Sequence, residues 1–275
     1  MRFVTLCLLA GCGTEISVRT DPSDPPAPDD GTIDDLTPPE AVCKAEPNPA
    51  VPLGEVDLIG ENSYDPDTNT LINYRWSLVR APAGSEASLP SGQANLPGFL
   101  PDMVGAYLLS LVVTDASGKQ SQPCAVDLDV TPSHKLWLEL TWAYDKEDLD
   151  LHLVRGEAAS AEAAVDCSAA GCAGDWGTPG DPTDDPELVR DDVEGTGPEL
   201  IGVMAPEDDE VFTVWVLDRQ QRLRSADNTA VLQVHLDGRT TTISRVFSEE
   251  PRAETPRYWV GFARIDVGAG TVTEL

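Results

Sequence analysis

Three side chains able to hold a cation are spaced for one face of a single strand. In the run Asp148-Leu149-Asp150-Leu151-His152-Leu153, polar groups alternate with leucines, and alternate side chains of an extended segment point to opposite faces. Asp148, Asp150 and His152 therefore stand together, backed by Leu149, Leu151 and Leu153. Downstream, Asp181, Asp184, Asp185, Glu187, Asp191, Asp192 and Glu194 fall within fourteen residues, with Arg190 the only base among them. Carboxylates at that density repel one another unless water or a cation separates them. An all-oxygen donor set calls for a hard ion, so a calcium held by Asp148, Asp150, Asp191 and Asp192 is the chemistry this pattern could support. The competing reading is a hydrated acidic loop with no ion. His152 makes no transition-metal site by itself, because the sequence sets no second histidine nearby. Asp65-x-Asp67-x-Asn69 opens like a calcium loop, but Thr70 stands where the sharp turn needs Gly and Trp76 where a bidentate Glu belongs. Turn chemistry accounts for it.

Catalytic signatures are missing from the sequence: it holds no Gly-x-Ser-x-Gly, no His-Glu-x-x-His and no phosphate-binding Gly-rich loop. Its three histidines, His134, His152 and His235, fall at a segment boundary and on two predicted strands. No catalytic residue is assigned, and the expected function is that of a non-catalytic module. A hydrolase with a carboxylate pair is the alternative from another class, and a concave cleft with two facing acids would mark it. The formal charge of -30, from 48 acids against 18 bases, repels nucleic-acid phosphates and excludes that class of partner. It equally favours calcium as the expected cation.

Positioning these groups requires folded elements, and the cysteines suggest where those elements are fastened. Met1 and Arg2 precede an apolar run from Phe3 to Ala10, too short to cross a bilayer. If this leader is removed along with Cys7, and Cys12 is modified, four of six cysteines remain, an even set suited to an oxidising compartment. Three pairings are open to four cysteines. Spacing favours Cys43 with Cys124, flanking one domain, and Cys167 with Cys172 inside one loop. Residues 12–40 are rich in Asp, Pro, Thr and Ser and read as a tether.

Residues 41–131 hold short alternating segments between turns, and residues 134–275 continue that pattern. Leu136, Leu138, Leu140 and Trp142 share one face of the first strand of the second region. Further strands are expected at 149–154, 199–204, 211–217, 230–236, 240–247 and 257–266, with residues 156–198 as a long irregular excursion. The fold class is all-β: one sandwich followed by a second sandwich or jelly roll.

Three local patterns resemble known families. Leu9-Ala10-Gly11-Cys12 resembles the bacterial lipobox, which implies a signal peptide over residues 1–11, a diacylglycerol on Cys12 and a place in the cell envelope, at the outer membrane of a Gram-negative bacterium. Ser63-x-Asp65-Pro66-Asp67, Tyr74-x-Trp76 and the strand from Gly105 to Asp115 resemble the polycystic kidney disease (PKD) repeat. That resemblance implies an immunoglobulin-like sandwich with Trp76 in its core, serving as an extracellular spacer or weak adhesive module. The Asp148 to Leu153 run is similar to the start of β-sandwich domains of exported bacterial proteins with no assigned function. The expected partners are the membrane, through the lipid, and a glycan or protein ligand at the cell surface. A calcium-dependent carbohydrate-binding module is a further alternative, favoured if Trp137, Trp176 and Trp259 lie exposed on one surface.

The anchor is tested directly. Cys12→Ser is expected to leave an uncleaved precursor and to abolish fatty-acid labelling, and labelling that persists would overturn the lipobox assignment.

Overall fold

The computed structural model describes residues 37–68, 70–89, 93–145, 147–157, 165–172, 174–193, 195–219, 227–247 and 258–275. The leader, Cys12 and the tether up to residue 36 lie outside the described residues, as does Glu194. Among the described residues the protein is all-β, with no helix.

The first sandwich is built from β1 (Lys44–Glu46), β2 (Val56–Ile59), β3 (Leu71–Arg80), β4 (Asn95–Phe99), β5 (Gly105–Asp115) and β6 (Cys124–Val130). One sheet has the order β1-β2-β4 and the other β3-β5-β6. Their alternation is the one the sequence carries: on β5, Tyr107, Leu109, Leu111 and Val113 point inward to meet Trp76, Val56, Leu58 and Phe99. Each large apolar side chain removed from water in this way contributes roughly 1.5–3 kcal/mol. Trp76 donates its indole N–H to the Ala94 carbonyl at 3.2 Å. The Ser63 to Asp67 segment is a turn held by its own side chains, with the Asp67 N–H donating to Asp65 Oδ1 at 3.0 Å.

Cys43 and Cys124 form a disulfide with Cα atoms 6.0 Å apart. Cys43 adjoins β1 and Cys124 opens β6, so the bond staples one sheet to the other.

The second sandwich follows a short connection. Its strands are β7 (Leu136–Trp142), β8 (Leu149–Arg155), β9 (Asp166–Ser168), β10 (Gly171–Cys172), β11 (Pro186–Arg190), β12 (Glu199–Val203), β13 (Val211–Asp218), β14 (Asn228–Leu236), β15 (Arg239–Phe247), β16 (Tyr258–Asp266) and β17 (Thr271–Glu274). They form a six-stranded sheet, β10-β9-β8-β13-β16-β17, facing a five-stranded sheet, β11-β12-β7-β14-β15. A core separate from that of the first sandwich lies between them, drawing on Leu138, Leu140, Leu151, Leu153, Val214, Val234 and Phe262 among others.

Two findings depart from the sequence reading. The excursion over 156–198 is not irregular throughout, because it contains β9, β10 and β11. The first two form a hairpin closed by the Cys167–Cys172 disulfide. The third is a sheet edge paired only with β12, and an edge strand needs little apolar alternation to announce it.

The second departure concerns β7, which is buried at every position. Leu136, Leu138, Leu140 and Trp142 face the core as expected, but Trp137, Glu139 and Thr141 on the opposite face are also covered. The first sandwich does part of the covering. The Val104 N–H donates to Glu139 Oε1 at 2.7 Å. Gly84, at φ +91°, comes so close that a Cβ there would lie 2.9 Å from Thr141 Cγ2, so both its conformation and its contact need glycine.

Closing a loop of 81 residues with a disulfide removes unfolded-state entropy worth about 4.5 kcal/mol. Reduction of Cys43–Cys124, or Cys43→Ser with Cys124→Ser, is expected to lower stability by about that amount in denaturant titrations. An unchanged midpoint would show that the bond stabilises nothing.

Candidate functional site

β8 runs along the sheet with β13 on one side, where Leu151 pairs with Val216 and Leu153 with Val214. On its other side β9 reaches only Leu153 and Val154, so the backbone of Leu151 faces no strand there. Its N–H is taken instead by Glu199, the first residue of β12 in the opposite sheet, whose Oε2 accepts at 2.5 Å. Glu199 thereby fastens one sheet to the other across the edge of the sandwich. It is fully buried, as a side chain on the same face of β12 as Ile201 and Val203 must be.

Asp148, just before β8, and Asp150, on it, bring their carboxylates to Glu199. One oxygen from each of the three lies within 4.8 Å of the others. Asp150 is 2% exposed, Asp148 is half-buried, and Asp191 stands exposed at the rim. Arg219, immediately after β13, pairs its Nε with Asp150 Oδ2 and donates its backbone N–H to the Asp148 carbonyl at 3.0 Å. Glu199 Oε1 and Asp148 Oδ1 are sealed from solvent without a hydrogen-bond partner among the described residues. Asp191 approaches Glu199, and a hydrogen bond between the two requires one of them to carry a proton.

The electrostatics follow from crowding acids in a place poor in water. Burial, then the neighbouring Asp150, pushes the Asp148 carboxyl up to about 6. Burial also raises Asp150, with the Arg219 hydrogen bond and charge opposing it. Glu199 is raised well above the carboxylate range, chiefly by burial, against the opposing Leu151 N–H. The Arg219 guanidinium is raised in turn by its bond to Asp150.

The expected cation ligands thus divide. Asp148 and Asp150 come together, and Asp191 is close enough for its charge to act on both. Asp192 is engaged elsewhere, its Oδ2 accepting from the Gly197 N–H at 2.7 Å. Glu199 and Arg219 were not among the expected residues. A signal for Glu199 existed, since it opens an otherwise apolar strand on the inward face.

His152 does stand on the polar face of β8, but its Nδ1 is 2.5 Å from Asp166 Oδ2 and its ring packs edge-on against Trp259. Burial lowers its pKa, with Asp166 opposing. The other two histidines are likewise tied to carboxylates: His134 Nε2 lies 2.8 Å from Glu187 and stacks on Trp137, and His235 Nε2 lies 3.3 Å from Glu139. Trp137, Trp176 and Trp259 do not form the exposed aromatic surface that a carbohydrate-binding module would call for: Trp137 and Trp176 are each 1% exposed, and Trp259 is half-buried.

No protein-family model matches the chain, and comparison with curated proteins yields no match. Two of the solved structures that resemble it show the range of the likeness. One is the solution structure of the PKD domain from KIAA 1837 protein, at 20% identity and a TM-score of 0.27, covering 35% of this chain and 92% of that one. The other is described as a structural basis for the promiscuous specificity of carbohydrate-binding modules from the β-sandwich superfamily. It stands at 11% identity and a TM-score of 0.30, covering 82% of this chain and 84% of that one.

A carboxyl whose folded-state pKa lies above its unfolded value binds more protons when folded, so it costs stability as pH rises between the two values. For Asp148 that window runs from its ordinary value of 3.8 to about 6. In chelator, the melting temperature is expected to rise as pH falls through this window, and Asp148→Asn should flatten part of the rise. An identical pH profile in the variant would exclude the raised carboxyl.

Proposed function

We propose that this chain is a non-catalytic module of the bacterial cell surface, anchored through a lipid on Cys12, whose first sandwich holds the second at a fixed distance for binding or envelope architecture. The observation that carries this reading is Glu139. Its side chain is fully buried and accepts from Val104 N–H of the first sandwich at 2.7 Å and from Trp137 Nε1 of the second at 2.9 Å. Its other oxygen faces His235 Nε2, while His235 Nδ1 meets Thr240 Oγ1 at 2.9 Å. Separating the two sandwiches would break the Glu139 bond to the Val104 N–H, which opposes their independent motion. Thr196 Oγ1 adds a second tie by donating to Glu86 at 2.6 Å.

A spacer must transmit position, and a stiff junction is what that task needs. The hydrolase alternative is disfavoured by the burial of the acidic cluster: Glu199 is fully buried and Asp150 is 2% exposed, so these two do not make an open pair of facing acids. The carbohydrate-binding alternative lacks its aromatic platform. A glycan or protein ligand would instead find a groove of about 460 Å³ lined by Pro82, Gly84, Thr141, Val231, Gln233 and Thr242.

Amide relaxation by nuclear magnetic resonance tests the junction. Both sandwiches are expected to report one rotational correlation time, and Glu139→Ala should split it into two. Different values in the wild-type chain would overturn the spacer reading.

A further inference from the structure

A cluster of acids on a protein surface is ordinarily hydrated and needs no ion. The group around Glu199 differs in that its central member has no access to water. Glu199 Oε2 is committed to Leu151 N–H, while Oε1 is buried and unpartnered, beside two further carboxylates whose oxygens lie within 4.8 Å. Asp148 Oδ1 is in the same condition. An isolated buried carboxylate oxygen is costly, and one cation would complete both.

We propose that Asp148, Asp150 and Glu199, with Asp191 at the rim, form a calcium site that joins the two sheets of the second sandwich. The donors are all oxygen, which selects a hard cation over zinc or copper. Calcium suits the set better than magnesium. It accepts irregular geometry and sheds its water readily, whereas magnesium demands near-octahedral order and retains several waters, for which the buried side of this site has little room. Four carboxylates against the single guanidinium of Arg219 leave a surplus that a divalent ion would offset. Because Arg219 already occupies Asp150 Oδ2, the ion competes with it for that carboxylate, which places the site among weak extracellular ones, with Kd on the order of 10⁻⁴ to 10⁻³ M.

The ligands come from different parts of the chain. Asp148 and Asp150 belong to the β8 edge, Glu199 to β12 in the facing sheet, and Asp191 to the segment leaving β11. A bound ion therefore links elements that only the folded sandwich brings together, and binding free energy becomes folding free energy. The inference does not depend on the spacer role, and failure of either leaves the other standing.

Equilibrium dialysis of the chelator-treated chain against radioactive calcium, in excess sodium chloride, tests the site. One calcium per chain is expected. Glu199→Gln, which preserves the side chain's size and its acceptor for Leu151 N–H, should weaken binding at least about tenfold, the equivalent of 1.4 kcal/mol. Asp148→Asn should weaken it comparably, providing a second variant should the first fold poorly. Asp192→Asn should bind as the wild type does, and Arg219→Gln should bind more tightly. The proposal is overturned by no binding up to about 10 mM calcium, ten times the weak end of extracellular sites. Undiminished binding in folded Glu199→Gln and Asp148→Asn, or equal affinity for magnesium, would also overturn it.

Discussion

A strand covered on both faces cannot leave a charged side chain without partners, because the interior offers no water to solvate it. β7 is such a strand, and Glu139 is its acid. The surrounding structure answers with a backbone N–H from the first sandwich, an indole N–H from the same strand and an imidazole from β14. Placing Leu138 and Leu140 in the core sends Glu139 to the other face, and burying that face requires Val104 to be held where it is. The register of one strand thus fixes how the two sandwiches meet. The Gly84 to Thr141 approach is tight for the same reason.

Glu199 repeats this physics on the inward face of the same sheet, on the neighbouring strand β12, with a different outcome. Where Glu139 is satisfied from several directions, Glu199 has one donor and several like-charged neighbours. Burial pushes it well up in pKa, and Arg219 relieves Asp150 more directly than it relieves Glu199. One buried acid is a fastener complete in itself. The other has coordination capacity left over.

Much of the architecture was legible because it rests on period-two alternation. The inward leucines of β7 and most strands of the second sandwich follow from which residues are apolar. Both disulfides were legible from spacing. The outer face of β7 was not, because alternation reports one buried face and cannot reveal that another sandwich covers the second. The acidic cluster was half legible for a related reason. Asp148 and Asp150 are neighbours in sequence, whereas Glu199 reaches them across sheets, and Arg219 becomes their partner only through the pairing of β8 with β13. Asp192 seemed equivalent to Asp191 in the sequence. Backbone geometry near Gly195 and Gly197 separates them.

The staple between Cys43 and Cys124 also changes how the molecule would respond to being stretched. Tension entering from the N-terminal side passes through the sulfur atoms at Cys43 and leaves at Cys124, so the 81-residue span between them is bypassed by the load path. The hydrogen bonds of β2 to β5 are not required to resist it. What remains in series is β6, whose Val126, Leu128 and Val130 belong to the first core, and then the short connection into β7, so load meets that core through its last strand before it reaches the seam between the sandwiches.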